Sequence, residues 1–320
     1  MKAVVLEGPD KELVYTDVKE PSPGENEVVV ELKTAALNRR DFWITKGKYP
    51  GIRYPVILGS DGCGTLDGKR VLINPNQDWG SNPQVQSSDY RILGTPENGT
   101  FAQYIAVGKD KVEKAPEHLS DEQAAALPLA GMTAYRALIT KCQPTLKDKV
   151  LVTGVGGGVA LFAVQFALAL GCEVYVTSGS DDKISKAMEV GAKSGSNYKD
   201  ENWAKDLANQ AGGFDVIIDS AGGDGFSNLI NLANPGARIA MYGGTRGKID
   251  GISPQKLFWK QISWFGSTMA TDEEFKKMVR FVDENKIHPI VDKVFPLEKA
   301  QEAIDYNGKG LQFGKVVLQI

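Results

Sequence analysis

Apolar and polar positions follow two regimes along the chain. Up to about residue 120 the apolar residues fall in short runs rich in Val, Ile and aromatics, namely Ala3–Leu6, Val28–Leu32, Arg70–Ile73 and Phe101–Val107. Turn clusters such as Pro21-Ser22-Pro23-Gly24 separate them, so these runs predict strands. Asp67-Gly68, between Thr65-Leu66 and Lys69-Arg70-Val71, predicts a two-residue hairpin turn. Residues 74–99 show no periodicity and are rich in turn formers, which predicts a long loop of the kind that is usually functional or mobile. Beyond 120 the pattern changes. Ser120 and Gln123 have the spacing of a capping box opening a helix to about Leu127. Strand patterns at Val150–Val152, Glu173–Ser178, Phe214–Asp219, Ala237–Tyr242 and Ile262–Phe265 alternate with helical ones at Gly158–Gly171, Asp181–Val190 and Gly225–Ala233. Such alternation predicts a parallel sheet with helices on both faces. Asp272–Asn285 carries Phe275, Met278, Val279 and Val282 at helical spacing. The tail, Gly314–Ile320, is β again and is expected to return to the first part of the chain.

The chemistry centres on residues 148–183. Gly154, Gly156, Gly157 and Gly158 fall within five positions between a strand and a helix whose only strongly polar side chain is Gln165. Strand, glycine loop, helix and second strand form the βαβ unit that binds dinucleotides. One glycine permits the tight turn, another lets backbone N–H groups approach a pyrophosphate, and a small residue, here Ala160, lets the helix lie on the sheet. The helix start adds unpaired N–H groups and a partial positive charge. Gly156, Gly157, Gly158 and Val159 are therefore expected against the cofactor. The spacing is irregular, because Gly157-x-x-Ala160 supplies the second half of the fingerprint one position late, and glycines alone also suit a structural turn. NAD-binding units carry an acid about twenty residues past the glycines, but here the second strand ends Thr177-Ser178-Gly179-Ser180. Ser178 and Ser180 leave room for a 2′-phosphate and can donate to it, and Lys183 adds charge, which favours NADP(H). Two alternatives stand beside this: Ser180 as a cap of the next helix, and Asp181 or Asp182 as the ribose ligand of NAD.

Composition bears on partners more than on fold. A chain of 320 residues suggests two domains, and 42% hydrophobic with 24% charged residues is ordinary for a globular protein. A net charge of −3 gives no electrostatic footprint for nucleic acid or an anionic membrane. The start of the chain reaches Glu7 too soon for a signal peptide, no apolar run is of membrane-spanning length, and Cys63, Cys142 and Cys172 are few and scattered. A cytoplasmic protein is expected.

The order of parts, a β-rich segment, a Rossmann-type segment and a β tail, resembles the medium-chain dehydrogenase/reductase superfamily. The resemblance is carried by Ala35–Trp43 (AALNRRDFW), Leu58–Gly62 (LGSDG), Gly131–Leu138 (GMTAYRAL), Val152–Ala160 and Gln312–Leu318. Within the superfamily the chain is similar to the zinc-independent quinone oxidoreductase branch and to bacterial zinc-type alcohol dehydrogenase-like proteins. The resemblance implies a GroES-like domain over 1–121 and 290–320 and a Rossmann domain with a doubly wound sheet over 122–289. Where zinc-dependent relatives place Cys, His and Cys, this chain has Asn38, Ser60 and Leu129, and 74–99 contains none of the cysteines of a structural zinc lobe. His118 and His288, the two histidines of the chain, both suit surface or turn positions, so no bound zinc is expected.

Without a metal, the enolate of an enone or the phenolate of a quinone is easier to stabilise than an alkoxide. Asn38 and Thr133 can donate hydrogen bonds, and the spacing from Asn38 to Tyr49 is similar to that of zinc-free enoyl reductases, in which the tyrosine protonates the substrate. A tyrosine beside Pro50 equally suits a packed loop. Asp41 is expected to hold Asn38 or an arginine, and Trp43 and Trp79 to wall a pocket or simply to pack. The resemblance further implies Tyr198 against the 2′-phosphate, Gly243, Ser267 and Lys315 among the cofactor contacts, and a homodimer joined through Ile262–Phe265 unless residues 245–260 cover that edge. The expected activity is NADPH-dependent reduction of a quinone or enone. Its rivals are a metal-free alcohol or aldehyde dehydrogenase and a non-catalytic NADPH-binding protein.

Overall fold

In the computed structural model, which describes residues 1–320, the ten-residue strand Glu27–Ala36 gathers the first of two units, Met1–Met132 with Thr271–Ile320. Its first half pairs with Tyr104–Gly108 and its second half with Asp61–Leu66, both antiparallel. The tail strand Lys315–Gln319 lies antiparallel along Thr34–Ala36, the return expected from its β pattern, and carries Val291–Pro296 in parallel on its other side. Asp67 and Gly68, at φ 50° and 74°, make the two-residue turn between Asp61–Leu66 and Lys69–Ile73. These strands feed two cores, one of Ala35, Leu37, Leu58, Phe101, Val316 and Leu318 closed by Phe295 and Ile304, the other of Val30, Leu32, Val71, Ile73, Ile105 and Val107.

Two expectations change here. The run Phe101–Val107 is divided: Phe101 and Ala102 bond to Val4 and Ala3, and the ladder begins at Tyr104. Residues 74–99 pack on themselves, with Asn76–Gln77 paired to Arg91–Ile92 and Trp79 edge-on to Tyr90 at 5.2 Å. Trp79 is only 3% exposed and donates its Nε1–H to the Asn82 carbonyl at 3.1 Å, so it packs as a core of its own loop.

The units divide at 132/133 and 270/271 rather than at 121/122 and 289/290. Ser120 and Gln123 form the expected capping box of helix Asp121–Ala126, but the Asp121 carbonyl accepts from Thr34 Oγ1 at 2.8 Å. Helix Asp272–Glu284 buries the predicted Phe275, Met278, Val279 and Val282. Its Asp272 accepts from Asn74 Nδ2 at 2.7 Å and from Lys111 Nζ at 2.8 Å. Side chains of the first unit thus hold both helices.

The second unit, Thr133–Ala270, is the α/β part. Strands β1 (Lys149–Val152), β2 (Glu173–Ser178), β3 (Ser194–Asn197), β4 (Phe214–Asp219), β5 (Ala233–Met241) and β6 (Ser263–Gly266) alternate with helices. These are α1 (Gly158–Ala169), α2 (Asp181–Val190), α3 (Trp203–Ala211), α4 (Phe226–Leu232) and α5 (Pro254–Lys260). Every pairing is parallel and the order is β3-β2-β1-β4-β5-β6, the doubly wound Rossmann arrangement. Val150, Leu151 and Val152 of β1 are fully buried, as a strand covered on both faces requires. Gly171, at φ 76°, follows the end of α1. Strand β3 escaped the sequence pattern because Ser196 is its one buried side chain; main-chain pairing to β2 makes it a strand. Between β1 and β4 the winding reverses, and the loops after these strands border the crevice where such sheets take their ligands. No helix is long and apolar enough to cross a membrane. All three cysteines are buried and unbonded, and burial pushes the Cys63 and Cys142 thiols up to about 12.

Candidate active site

In the second unit the chain leaves β1 through Thr153–Gly157. Gly156 adopts φ 131°, and a Cβ there would lie 2.7 Å from Lys183 Cδ and 3.2 Å from Lys183 Nζ, so the lysine is laid across the glycine loop. At Gly157 a Cβ would meet nothing within 4 Å. Gly157 is also the N-cap of α1 and brings no side chain, leaving the first N–H groups of the helix, from Gly158 and Val159 onward, to an anion. Two side chains brace the loop. Thr153 Oγ1 donates to Asp219 Oδ1 at 2.6 Å, and Asp219 Oδ2 accepts the Gly222 N–H at 2.8 Å. The sequence marks this tie only by an acid ending an apolar strand. Ser178 was expected to donate to a phosphate. It is buried and gives its hydroxyl proton to the Val155 carbonyl at 3.0 Å, so it shapes the loop instead.

Ser180 sits at the N-cap of α2, yet its hydroxyl makes no capping bond. The two acids that argue for NAD are engaged with neighbours: Asp181 Oδ1 accepts from Asn197 Nδ2 at 2.9 Å, and Asp182 pairs with Lys186 at 2.8 Å. The Tyr198 hydroxyl passes over Gly179, where a Cβ would sit 2.6 Å from the oxygen. Arg246, which no pattern singled out, places its guanidinium carbon 5.3 Å from the centre of the Tyr198 ring. Gly243 lies against the Ser220 backbone. Ser267 Oγ is buried with no hydrogen-bond partner, the kind of orphan that a bound group satisfies. Thr133 is buried, its Oγ1 3.8 Å from Met269 Sδ. An uncapped helix start, an orphan hydroxyl and a cationic corner fit a nicotinamide dinucleotide.

In the first unit, Asn38 precedes helix Arg39–Thr45, and the Asp41 carboxylate reaches back to accept the Asn38 backbone N–H at 2.7 Å. The Asn38 side chain is held on both atoms. Its Nδ2 donates to Asp61 Oδ2 at 2.9 Å, and its Oδ1 accepts from Lys315 Nζ at 2.7 Å. Lys315 also pairs with Asp61 at 2.9 Å, with side-chain exposures of 4% and 0%, and Asp61 Oδ1 accepts the Leu129 N–H at 2.8 Å. Lys315, expected among the cofactor contacts, therefore spends its ammonium on a buried pair. Asp61, absent from the expected site, is the hub of the network.

Arg40 donates through Nη1 to Ser60 Oγ at 2.6 Å and to the Leu93 carbonyl at 2.7 Å, while its Nε and Nη2 are buried without partners. Its guanidinium carbon lies 4.7 Å from the centre of the half-buried Tyr49 ring. Trp43, half-buried, lies under Arg39 at 5.5 Å. Ser60 and Leu129, two of the positions compared with zinc ligands, are thus engaged with Arg40 and Asp61. No group of three or more His, Cys, Asp or Glu has the geometry to hold a metal ion. His118 and His288 meet edge-to-face at 5.0 Å.

Burial pushes the Asp41 carboxyl up to about 6, against the opposing pull of Arg40. A folded-state value above the ordinary 3.8 means that the proton is held more tightly in the folded protein, so stability falls as pH rises from about 4 to about 6 and stays lost above. Asp41→Asn keeps an oxygen for the Asn38 N–H but cannot ionise. Relative to wild type it should gain about 2–3 kcal/mol of stability between pH 4 and pH 7. Urea midpoints across that range check this, and a pH-independent difference would count against it.

Residues 158–284 match the zinc-binding dehydrogenase family and residues 24–117 the alcohol dehydrogenase GroES-like domain family. The chain is 36% identical to a zinc-type alcohol dehydrogenase-like protein of Leptosphaeria maculans, covering 95% of this chain and 93% of that protein. It is 28% identical to the quinone oxidoreductase of Mus musculus (97% and 94% covered) and 27% identical to the acryloyl-coenzyme A reductase of Sulfurisphaera tokodaii (both fully covered). Among solved structures, an NAD-dependent alcohol dehydrogenase superposes with a TM-score of 0.93 at 36% identity, both chains fully covered. A Thermus thermophilus quinone oxidoreductase, solved alone and with NADPH, gives 0.84 at 26%, again over both full chains.

Proposed function

Because the chain belongs to the medium-chain dehydrogenase/reductase superfamily and is an oxidoreductase of that kind, we propose that it transfers hydride from NADPH to a quinone or an α,β-unsaturated carbonyl compound without zinc. The observation that carries this is Asn38, whose amide is fixed by Asp61 and Lys315 and retains a second N–H as a neutral donor. NADPH supplies the hydride. The Asn38 N–H then meets charge spread over an enolate or phenolate, for which neutral donors in a fixed orientation suffice. Tyr49 delivers the proton, and Thr133 is assigned a second hydroxyl donor. The quinone oxidoreductase and acryloyl-coenzyme A reductase relatives support this substrate class. Ser180, Lys183 and Tyr198 support NADPH, as does the engagement of Asp181 and Asp182 elsewhere.

A second reading, a metal-free alcohol or aldehyde dehydrogenase, is favoured by the likeness to the NAD-dependent alcohol dehydrogenase structure. The deciding experiment assays quinones, enals, enones, aldehydes and alcohols with NADPH and NADH, before and after chelation. Quinone or enone turnover with NADPH, unaffected by chelator, is expected. Turnover confined to alcohols and aldehydes, or abolished by chelator, overturns the proposal.

We also propose a homodimer through β6. This strand pairs only with β5, leaving its other edge bare, and α5, which leads into it, buries no side chain, with Trp259 78% and Phe258 59% exposed. An apolar edge left open is an aggregation liability. Light scattering at micromolar concentration should give twice the chain mass, and Trp264→Lys should halve it. A wild-type monomer would refute the assignment.

A further inference from the structure

We infer that Arg246 is a second cation of the 2′-phosphate site, held in place by the ring of Tyr198. This rests on the NADPH reading above and extends it to a residue from a distant loop. Arg246 follows β5, and its backbone N–H is fixed to the Ala221 carbonyl at 2.8 Å. Tyr198 follows β3, which lies four places away in the sheet order. At about 4.8 Å per strand the two chain segments start roughly 19 Å apart, yet the guanidinium carbon comes to 5.3 Å from the ring centre. The loop after β5 and the Tyr198 side chain therefore close that gap between them, and the Tyr198 hydroxyl lies over Gly179, next in the chain to Ser180.

Stability does not account for this reach. Both side chains are exposed, Tyr198 by 37%, and a solvent-exposed cation–π contact is worth only about 0.5–1 kcal/mol, set against the rotamer freedom of a long arginine. Arg246 also has no carboxylate partner, whereas the nearby acids Asp181 and Asp182 are committed to Asn197 and Lys186. A guanidinium laid on a ring keeps its N–H edge available, and that edge matches two oxygens of a phosphate. Lys183, in the first turn of α2 just past Ser180, lies over Gly156 of the glycine loop. Between them, lysine and arginine bracket a dianion, with the Ser180 hydroxyl, unused as a cap, as a third donor.

The test is calorimetric titration of the full-length protein with 2′,5′-ADP and with 5′-ADP, which differ only in the 2′-phosphate. Wild type should prefer 2′,5′-ADP. Arg246→Met should weaken 2′,5′-ADP by about 10–100-fold, the worth of a hydrogen bond to a charged group, and change 5′-ADP less than about twofold. Arg246→Lys should recover part of the loss, and Tyr198→Leu should reproduce part of it. Equal weakening of both ligands by Arg246→Met would make the arginine an adenine contact and overturn the inference. No weakening of either overturns it as well, while leaving the NADPH reading intact. A wild type that does not distinguish the two ligands would overturn the NADPH reading itself, and this inference with it.

Discussion

Replacing Tyr49 by Phe should slow reduction of enals and enones by about 10²–10⁴-fold, the usual worth of general acid catalysis. The substitution is clean because the ring has two other tasks that phenylalanine can perform. It lies on the Arg40 guanidinium and packs against the core of the first unit, and neither contact needs the hydroxyl. Stability and NADPH affinity should therefore stay near wild type while the proton-transfer step fails. Quinone turnover should fall less, since its oxygens can take protons from water. Asn38→Ala should impair both substrate classes, because the proposed mechanism sets its amide against the developing oxyanion in each. Unchanged enone turnover in a folded Tyr49→Phe variant would reduce Tyr49 to a packing residue and leave water as the proton source.

Loss of the Lys315 ammonium should be strongly destabilising. Asp61 has no exposed side-chain surface, and removing its cation leaves a buried carboxylate with only the Leu129 and Asn38 N–H groups. Breaking a buried pair from one side costs about 3–5 kcal/mol, so Lys315→Met should lower the urea midpoint of the first unit by a corresponding amount near neutral pH. Adding Asp61→Asn should recover much of that loss, since no unpaired charge then remains. A single variant within about 1 kcal/mol of wild type, or a double variant no better than the single, would show that the pair is not the support of Asn38.

The elements that the sequence displayed were those buried as a continuous apolar run or along one face of a helix. Glu173–Ser178, Asp181–Val190 and Phe214–Asp219 lie where apolar spacing placed them, because packing and pattern there are the same fact. Strand β3 was invisible, since main-chain bonds to β2 make it a strand with one buried serine. Helix α3 was missed for a related reason, burying only Leu207 and Ala211. At the site, Asn38 and the glycine loop could be named from local motifs. Their supports could not: Lys315 meets Asn38 across 277 positions and Asp61 across 254, and no local spacing encodes such a meeting. The same holds for Arg246, which shares a glycine-rich loop with Lys248 and meets Tyr198, 48 positions earlier, only in the folded unit.

The first unit is discontinuous, and that has a consequence for how the protein is made. Ribosomes add roughly 5–20 residues per second, so Asp61 waits about 13–50 s for Lys315, 254 positions later. The whole of Thr133–Ala270 is synthesised within that interval. The α/β unit can thus close its sheet early, while the β-rich unit stays open with Glu27–Ala36 lacking the neighbour that Lys315–Gln319 provides. Nascent chains arrested before Lys315 emerges should accordingly resist protease over 133–270 and be cut within 1–132, a stage at which this protein depends on whatever shields unpaired strands in its cell.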